Sequence, residues 1–87
     1  MPYIKGNRRA ALRVLSDRFN HEPIESAGEL NYILTLILHT YRQHHMESYQ
    51  TYNDMIGALE SAKLELYRRS VSLYEDTKIK ENGDVEI

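Results

Sequence analysis

The segment from Ala27 to His44 constrains the chain more than any other. Leu30, Ile33, Leu34, Ile37, Leu38 and Tyr41 recur at helical spacing and form one apolar stripe, while Tyr32 and Leu36 add apolar surface on the remaining sides. A helix that is apolar nearly all round has to be covered nearly all round. The chain has 87 residues, which suits one domain, residues 1–87, of marginal stability. The remaining sequence predicts only two further helices to pack against this one. Two neighbours leave part of the surface bare, so a second copy of the chain is the expected cover.

Composition closes other routes to stability. There is no cysteine, so no disulfide, thiolate zinc site or cysteine nucleophile can form. No apolar run approaches the roughly 20 residues that span a bilayer. The opening Met1-Pro2-Tyr3-Ile4-Lys5-Gly6 does not read as a signal peptide. The expected setting is a cytoplasm, with no membrane partner.

The first helix is predicted over about residues 8–19, capped by Asn7, with Ala11, Leu12, Leu15 and Phe19 on its apolar face. Pro23 then interrupts the chain, since it biases Glu22 away from helical geometry. Ser26-Ala27-Gly28-Glu29 matches a capping box, which starts the second helix over about residues 27–44. Ser48 or Thr51 can cap a third helix, over about residues 51–74, and Thr51 with Asp54 makes an imperfect capping box. That third helix carries two stripes. Met55, Leu59, Ala62, Leu66 and Leu73 form one, with Tyr52 and Ile56 beside it; Leu64, Tyr67, Val71 and Tyr74 form another, differently oriented. From Thr77 to Ile87 the period changes, and Ile79, Val85 and Ile87 alternate with polar residues about Asn82-Gly83, a strong hairpin signal. A short C-terminal β-hairpin over about residues 77–87 is therefore predicted, with a disordered acidic tail as the competing reading. The expected fold is mainly α: a three-helix protomer with a terminal hairpin, assembled as a helical homo-oligomer.

The formal net charge is −2, which argues against a general nucleic-acid coat, since such domains are usually strongly basic. The charge is unevenly placed. Lys5, Arg8, Arg9, Arg13 and Arg18 face only Asp17 in residues 1–20, whereas Glu75, Asp76, Glu81, Asp84 and Glu86 outnumber Lys78 and Lys80 in residues 75–87. The two ends can pair within a protomer or between neighbours. Seven Tyr, one Phe and no Trp favour interfaces and planar ligands over a dry core, because tyrosine buries a ring while keeping a hydroxyl for a partner.

Tyr67-Arg68-Arg69 is the most suggestive cluster. Two guanidiniums offer planar forks for phosphate or carboxylate, and Tyr67 offers a ring for stacking. Lys63 lies one turn before Tyr67 and Tyr74 about two turns after it, while Tyr52 and Asn53 can contribute a ring and an amide if helices of different subunits cross. Together these residues would suit a small anionic ligand with a flat base, such as a nucleotide. The plainer reading pairs Arg68 and Arg69 with Glu65 and with acids on the side of Glu60 along the same helix. His39, His44 and His45 lack the spacing that puts two ligands on one helical face, so no metal is expected. Converging carboxylates, a nucleophile elbow and a glycine-rich phosphate loop are all missing from the pattern, so no catalytic residue and no cofactor is expected either.

Met1-Pro2-Tyr3-Ile4-Lys5, Gly28-Glu29-Leu30-Asn31-Tyr32, Ser48-Tyr49-Gln50-Thr51-Tyr52-Asn53-Asp54, Ile56-Gly57-Ala58-Leu59-Glu60, Glu65-Leu66-Tyr67-Arg68-Arg69 and Tyr74 to Val85 cover much of the chain. Together they resemble a family of short uncharacterised proteins of phages and prokaryotes. Residues 6–26 do not contribute to it. The resemblance implies a phage or prophage setting, hence a host-cell cytoplasm, and no particular chemistry. The expected function is a non-enzymatic oligomeric binding protein that sequesters a nucleotide-like anion between subunits. The alternative is a helical scaffold module that binds a host or phage protein. DNA binding through Arg8, Arg9, Arg13 and Arg18 is a third, weaker expectation.

Overall fold

A computed structural model of the protein describes residues 4–85. The fold is all-α, and the chain divides into two units, Pro2–Glu47 and Ser48–Ile87.

The first unit holds two helices, α1 (Gly6–His21) and α2 (Ala27–Gln43). Helix α1 begins earlier than Asn7 would place it. Lys5 is the extended residue before the helix, and its carbonyl already accepts the Arg9 N–H at 2.9 Å. Asn7 thus sits inside the first turn, where its Oδ1 accepts the Arg8 N–H at 2.9 Å. The helix also outlasts Phe19 by two residues, because Pro23 restricts only Glu22, which adopts φ −129° and ψ 82°. The start of α2 follows the capping box. Ser26 is extended, its Oγ accepts the Glu29 N–H at 3.1 Å, and the Glu29 carboxylate accepts the Glu25 N–H at 2.9 Å. At the other end, His44 and His45 donate their N–H groups to the carbonyls of Tyr41 and Arg42, three residues back, and the helix closes.

The second unit is one helical rod in three parts: α3 (Tyr49–Leu66), a π-turn (Tyr67–Val71) and α4 (Ser72–Asn82). Ser48, not Thr51, caps it, accepting the Thr51 N–H on its Oγ at 3.1 Å. Asp54 is drawn away from a capping role by the Gln50 side-chain amide, which donates to its Oδ1 at 2.7 Å.

The C-terminal hairpin is not there. No strand occurs among the described residues, and the segment Thr77–Asn82 continues the helix. Thr77 Oγ1 donates to the Leu73 carbonyl at 3.1 Å, and Lys78 pairs with Glu81 at 3.2 Å, both contacts that a helix supplies between residues three and four apart. Asn82-Gly83 ends this helix instead of turning a hairpin. Gly83 has φ 83° and ψ 157°, a region open essentially to glycine alone, and its N–H closes on the Ile79 carbonyl at 2.8 Å. Positive φ at one residue stops a helix; a two-residue hairpin turn of the expected type needs it at both. Val85 is 72% exposed, and Ile87, the last residue of the expected hairpin, lies outside the described residues.

The π-turn sets the register of the rod. The Ser72 N–H donates to the Tyr67 carbonyl, five residues back. Such a turn holds one residue more than an α-turn, so every later position is set back by about 100°. On an uninterrupted helix, Val71 and Tyr74 belong to a different stripe from Met55, Leu59, Ala62 and Leu66. With the extra residue they fall into line behind Leu66, and Leu73 turns off the stripe. Met55, Leu59 and Val71 are among the half-buried residues of this unit, in keeping with a single continuous stripe.

Among the described residues none is buried. In α2 the exposed side chains lie on every side: Leu30, Tyr32, Leu34, Leu36, Ile37 and Tyr41 are all between 39% and 63% exposed. In the rod, Ile56, Leu64, Leu66, Leu73 and Tyr74 are each more than half exposed. Deleting Ser70 should restore a regular α-helix while leaving Val71 and Tyr74 on the stripe, because it removes the one residue that the π-turn absorbs. Backbone contacts by nuclear magnetic resonance check this: the Tyr67–Ser72 contact is expected to span five residues in the wild type and, as an ordinary helical contact, four in the deletion variant. A wild type with only four-residue contacts through this stretch would contradict the single stripe.

Candidate functional site

Tyr67, Arg68 and Arg69 all fall on the π-turn, but their side chains do not act together. Arg68 Nη2 donates to Glu65 Oε1 at 2.7 Å, and Arg69 Nε donates to the same oxygen. The two arginines stand three and four residues beyond Glu65, the spacings that bring side chains to one face. Tyr67 stands two residues beyond it, so its ring leaves the helix roughly 200° away. Lys63, two residues before Glu65, also leaves on the far side, and it pairs with Glu60 at 3.0 Å. Tyr74 carries the ammonium of Lys78 over its ring, 5.5 Å from the centroid, so that face already holds a cation. Tyr52 is fifteen residues before Tyr67, roughly 22 Å along the axis, and Asn53 lies beside it.

Of the residues expected to bind a flat anion, one chain therefore assembles only Arg68 and Arg69, and it assembles them on a carboxylate. Glu65 answers both cations, and the Arg69 hydrogen bond, followed by the Arg68 one, holds its carboxyl below the ordinary value of 4.5. Two guanidiniums thus converge on one carboxylate. Both arginine side chains are more than half exposed, at 65% and 58%, so solvent and anions reach them. The pairing of these arginines with Glu65 is readable from spacing alone. The π-turn is not, although the jump of five residues from Leu66 to Val71 between the two stripes is a trace of it.

A separate hollow lies elsewhere. A cavity of about 340 Å³ opens in the first unit, where Phe19, Ile24, Tyr32 and Ile33 form an apolar lining with Arg18 and Glu22 among them. Its trace in the sequence is the bend at Pro23 between two apolar helical faces. The histidines serve the end of α2. His44 Nδ1 and His45 Nδ1 donate to the carbonyls of Thr40 and Tyr41 at 2.9 and 2.7 Å, and the His45 ring stacks on Tyr41 with centroids 3.8 Å apart. Among the described residues no group of three or more His, Asp or Glu is placed to hold a metal ion, and no helix is long and apolar enough to cross a membrane.

The sign of the Glu65 linkage follows from its lowered pKa. Pairing with Arg69 and Arg68 contributes stability above the ordinary glutamate range, and that contribution is lost as pH falls through the depressed value. A carbon-13 titration of the Glu65 carboxyl should give a midpoint below 4.5. Arg69→Ala should raise it more than Arg68→Ala, following the order of the two contributions. A wild-type midpoint at the ordinary value, untouched by either change, would show that the arginines do not hold this carboxylate in solution.

No curated protein and no solved structure matches the chain. A family model does, over residues 1–85, and it spans residues 6–26 as well, which the motif resemblance left out. The chain belongs to the family described as Domain of unknown function (DUF6899).

Proposed function

We propose that the protein is a non-enzymatic helical module that folds by self-association, each copy supplying the apolar cover that the other lacks. The observation that carries this reading is the absence of any buried side chain among the described residues of a chain with an all-round apolar α2. Ordering a residue's backbone costs about 1–2 kcal/mol, and the burial of apolar surface is the main term that offsets it. An isolated helix of this length is marginal in water, and α3 and α4 have no other helix in their own unit. A homo-oligomer of even number fits the base rates for closed symmetric assemblies. Such a module acts as a scaffold, presenting its remaining helical faces to a protein partner.

A second reading, capture of a nucleotide-like anion between subunits, is favoured by one feature, the convergence of the exposed Arg68 and Arg69 side chains at the π-turn, since such turns frequently mark functional sites. It requires an anion to displace Glu65 and a neighbouring copy to bring Tyr52, Asn53, Lys63, Tyr67 or Tyr74 to it. A phage-encoded protein in a host-cell cytoplasm is the setting that the motif resemblance supports.

Sedimentation equilibrium tests the self-association. Ile37 is 53% exposed in the protomer, so Ile37→Glu would be nearly harmless on a free surface. Inside an interface it buries an unpaired charge at a cost of several kcal/mol, comparable to the whole stability of a small domain. The expected outcome is an oligomer for the wild type and a dissociated or unfolded Ile37→Glu variant. A folded wild-type monomer at micromolar concentration, unaffected by the substitution, overturns the reading.

A further inference from the structure

We infer that the arginine face of α1 is a docking surface for the acidic C-terminal end, from Glu75 to Asp84, of a second copy of this chain. The inference rests on the self-association reading and adds the polar contact that sets its register. Lys5, Arg8, Arg9, Arg13 and Arg18 form no ion pair among the described residues, where the cations that do are Arg42, Lys63, Arg68, Arg69 and Lys78. On the acidic side, Glu81 is held by Lys78, while Glu75, Asp76 and Asp84 form no ion pair among the described residues. Five cations near one end of the chain and three carboxylates near the other thus have no ion-pair partner among the described residues.

The two surfaces also share a build. On α1 a shallow hollow of about 250 Å³ sets Ile4 and Leu12 beside Arg9 and Arg13. At the end of α4 a hollow of about 360 Å³ sets Tyr74 and Ile79 beside Glu75 and Asp84. The first flanks its apolar side chains with positive charge; the second flanks its own with Glu75 and Asp84, and the Lys78 that also lines it is already held by Glu81. Lys5, Arg9 and Arg13 are four residues apart, so they line roughly 12 Å of one face, against roughly 10 Å from Glu75 to the helix end at Asn82. Exposed ion pairs taken singly contribute little. Several converging around apolar contacts exclude water from one another and select the partner that carries the complementary pattern. A second copy carries that pattern in a chain of net charge −2, whereas a nucleic acid would meet the acidic end of the same protein.

The test is a charge swap in the full chain, read by sedimentation velocity and native mass spectrometry. One variant carries Arg9→Glu with Arg13→Glu, the other Glu75→Arg with Asp84→Arg. Each alone sets like charges against each other between copies, and its association should weaken by about tenfold or more, with helicity at high concentration unchanged. Mixed in equal amounts, the two should recover association as an oligomer containing both chains, because each then meets the opposite sign on the other. Variants that associate as well as the wild type overturn the inference and leave self-association standing. A mixture that fails to recover overturns it too. A wild type that is a folded monomer removes the self-association reading, and this inference with it. Nucleic acid retained by the wild type and lost with Arg9→Glu and Arg13→Glu would assign the arginine face to a polyanion instead.

Discussion

The rest of the structure depends on apolar side chains that have nothing in their own unit to bury them. Tyr32, Leu36 and Ile37 leave α2 on sides that a single partner helix cannot reach together. The rod from Tyr49 to Asn82 has no partner helix in its unit at all. Well-formed caps at Ser26 and Ser48 and a glycine stop at Gly83 define where the helices begin and end. They contribute on the order of 1 kcal/mol each, which shapes a helix without making a core. The account therefore places the core between copies.

In that account the π-turn would give the shared core its geometry. By adding one residue to a turn, it carries the stripe of Met55, Leu59 and Leu66 on through Val71 and Tyr74, so a long helix can present one seam where its sequence shows two. Arg68 and Arg69 stand on the same turn, and both reach Glu65. That clip ties the polar side of the helix across the point where the hydrogen-bond pattern changes. Register and ion pairing thus meet at one place, and a ligand that drew the arginines away would act directly on the turn.

Local features were legible in the sequence, and features that depend on competition between two local patterns were not. Ser26-Ala27-Gly28-Glu29 fixes the start of α2 because the capping box satisfies its own hydrogen bonds. Asn82-Gly83 was ambiguous, since a glycine that tolerates positive φ serves a hairpin turn and a helix end equally well. The alternation around it covers too few residues to outweigh helical contacts from Leu73 to Thr77 and from Lys78 to Glu81. At the candidate site, spacing was enough to place Arg68 and Arg69 on Glu65, because that contact lies within one turn. Bringing Tyr52, Asn53, Lys63, Tyr67 and Tyr74 around them requires a second chain, which no single-chain pattern encodes.

The central claim is that folding and association of this chain are coupled, and thermal unfolding followed by circular dichroism over about a hundredfold range of protein concentration tests it most directly. Anything that binds the folded state alone raises its apparent stability with concentration. The account predicts a midpoint that rises steadily as the protein is concentrated, with helicity lost on dilution at fixed temperature. One midpoint at every concentration, with helicity unchanged on dilution, would contradict it.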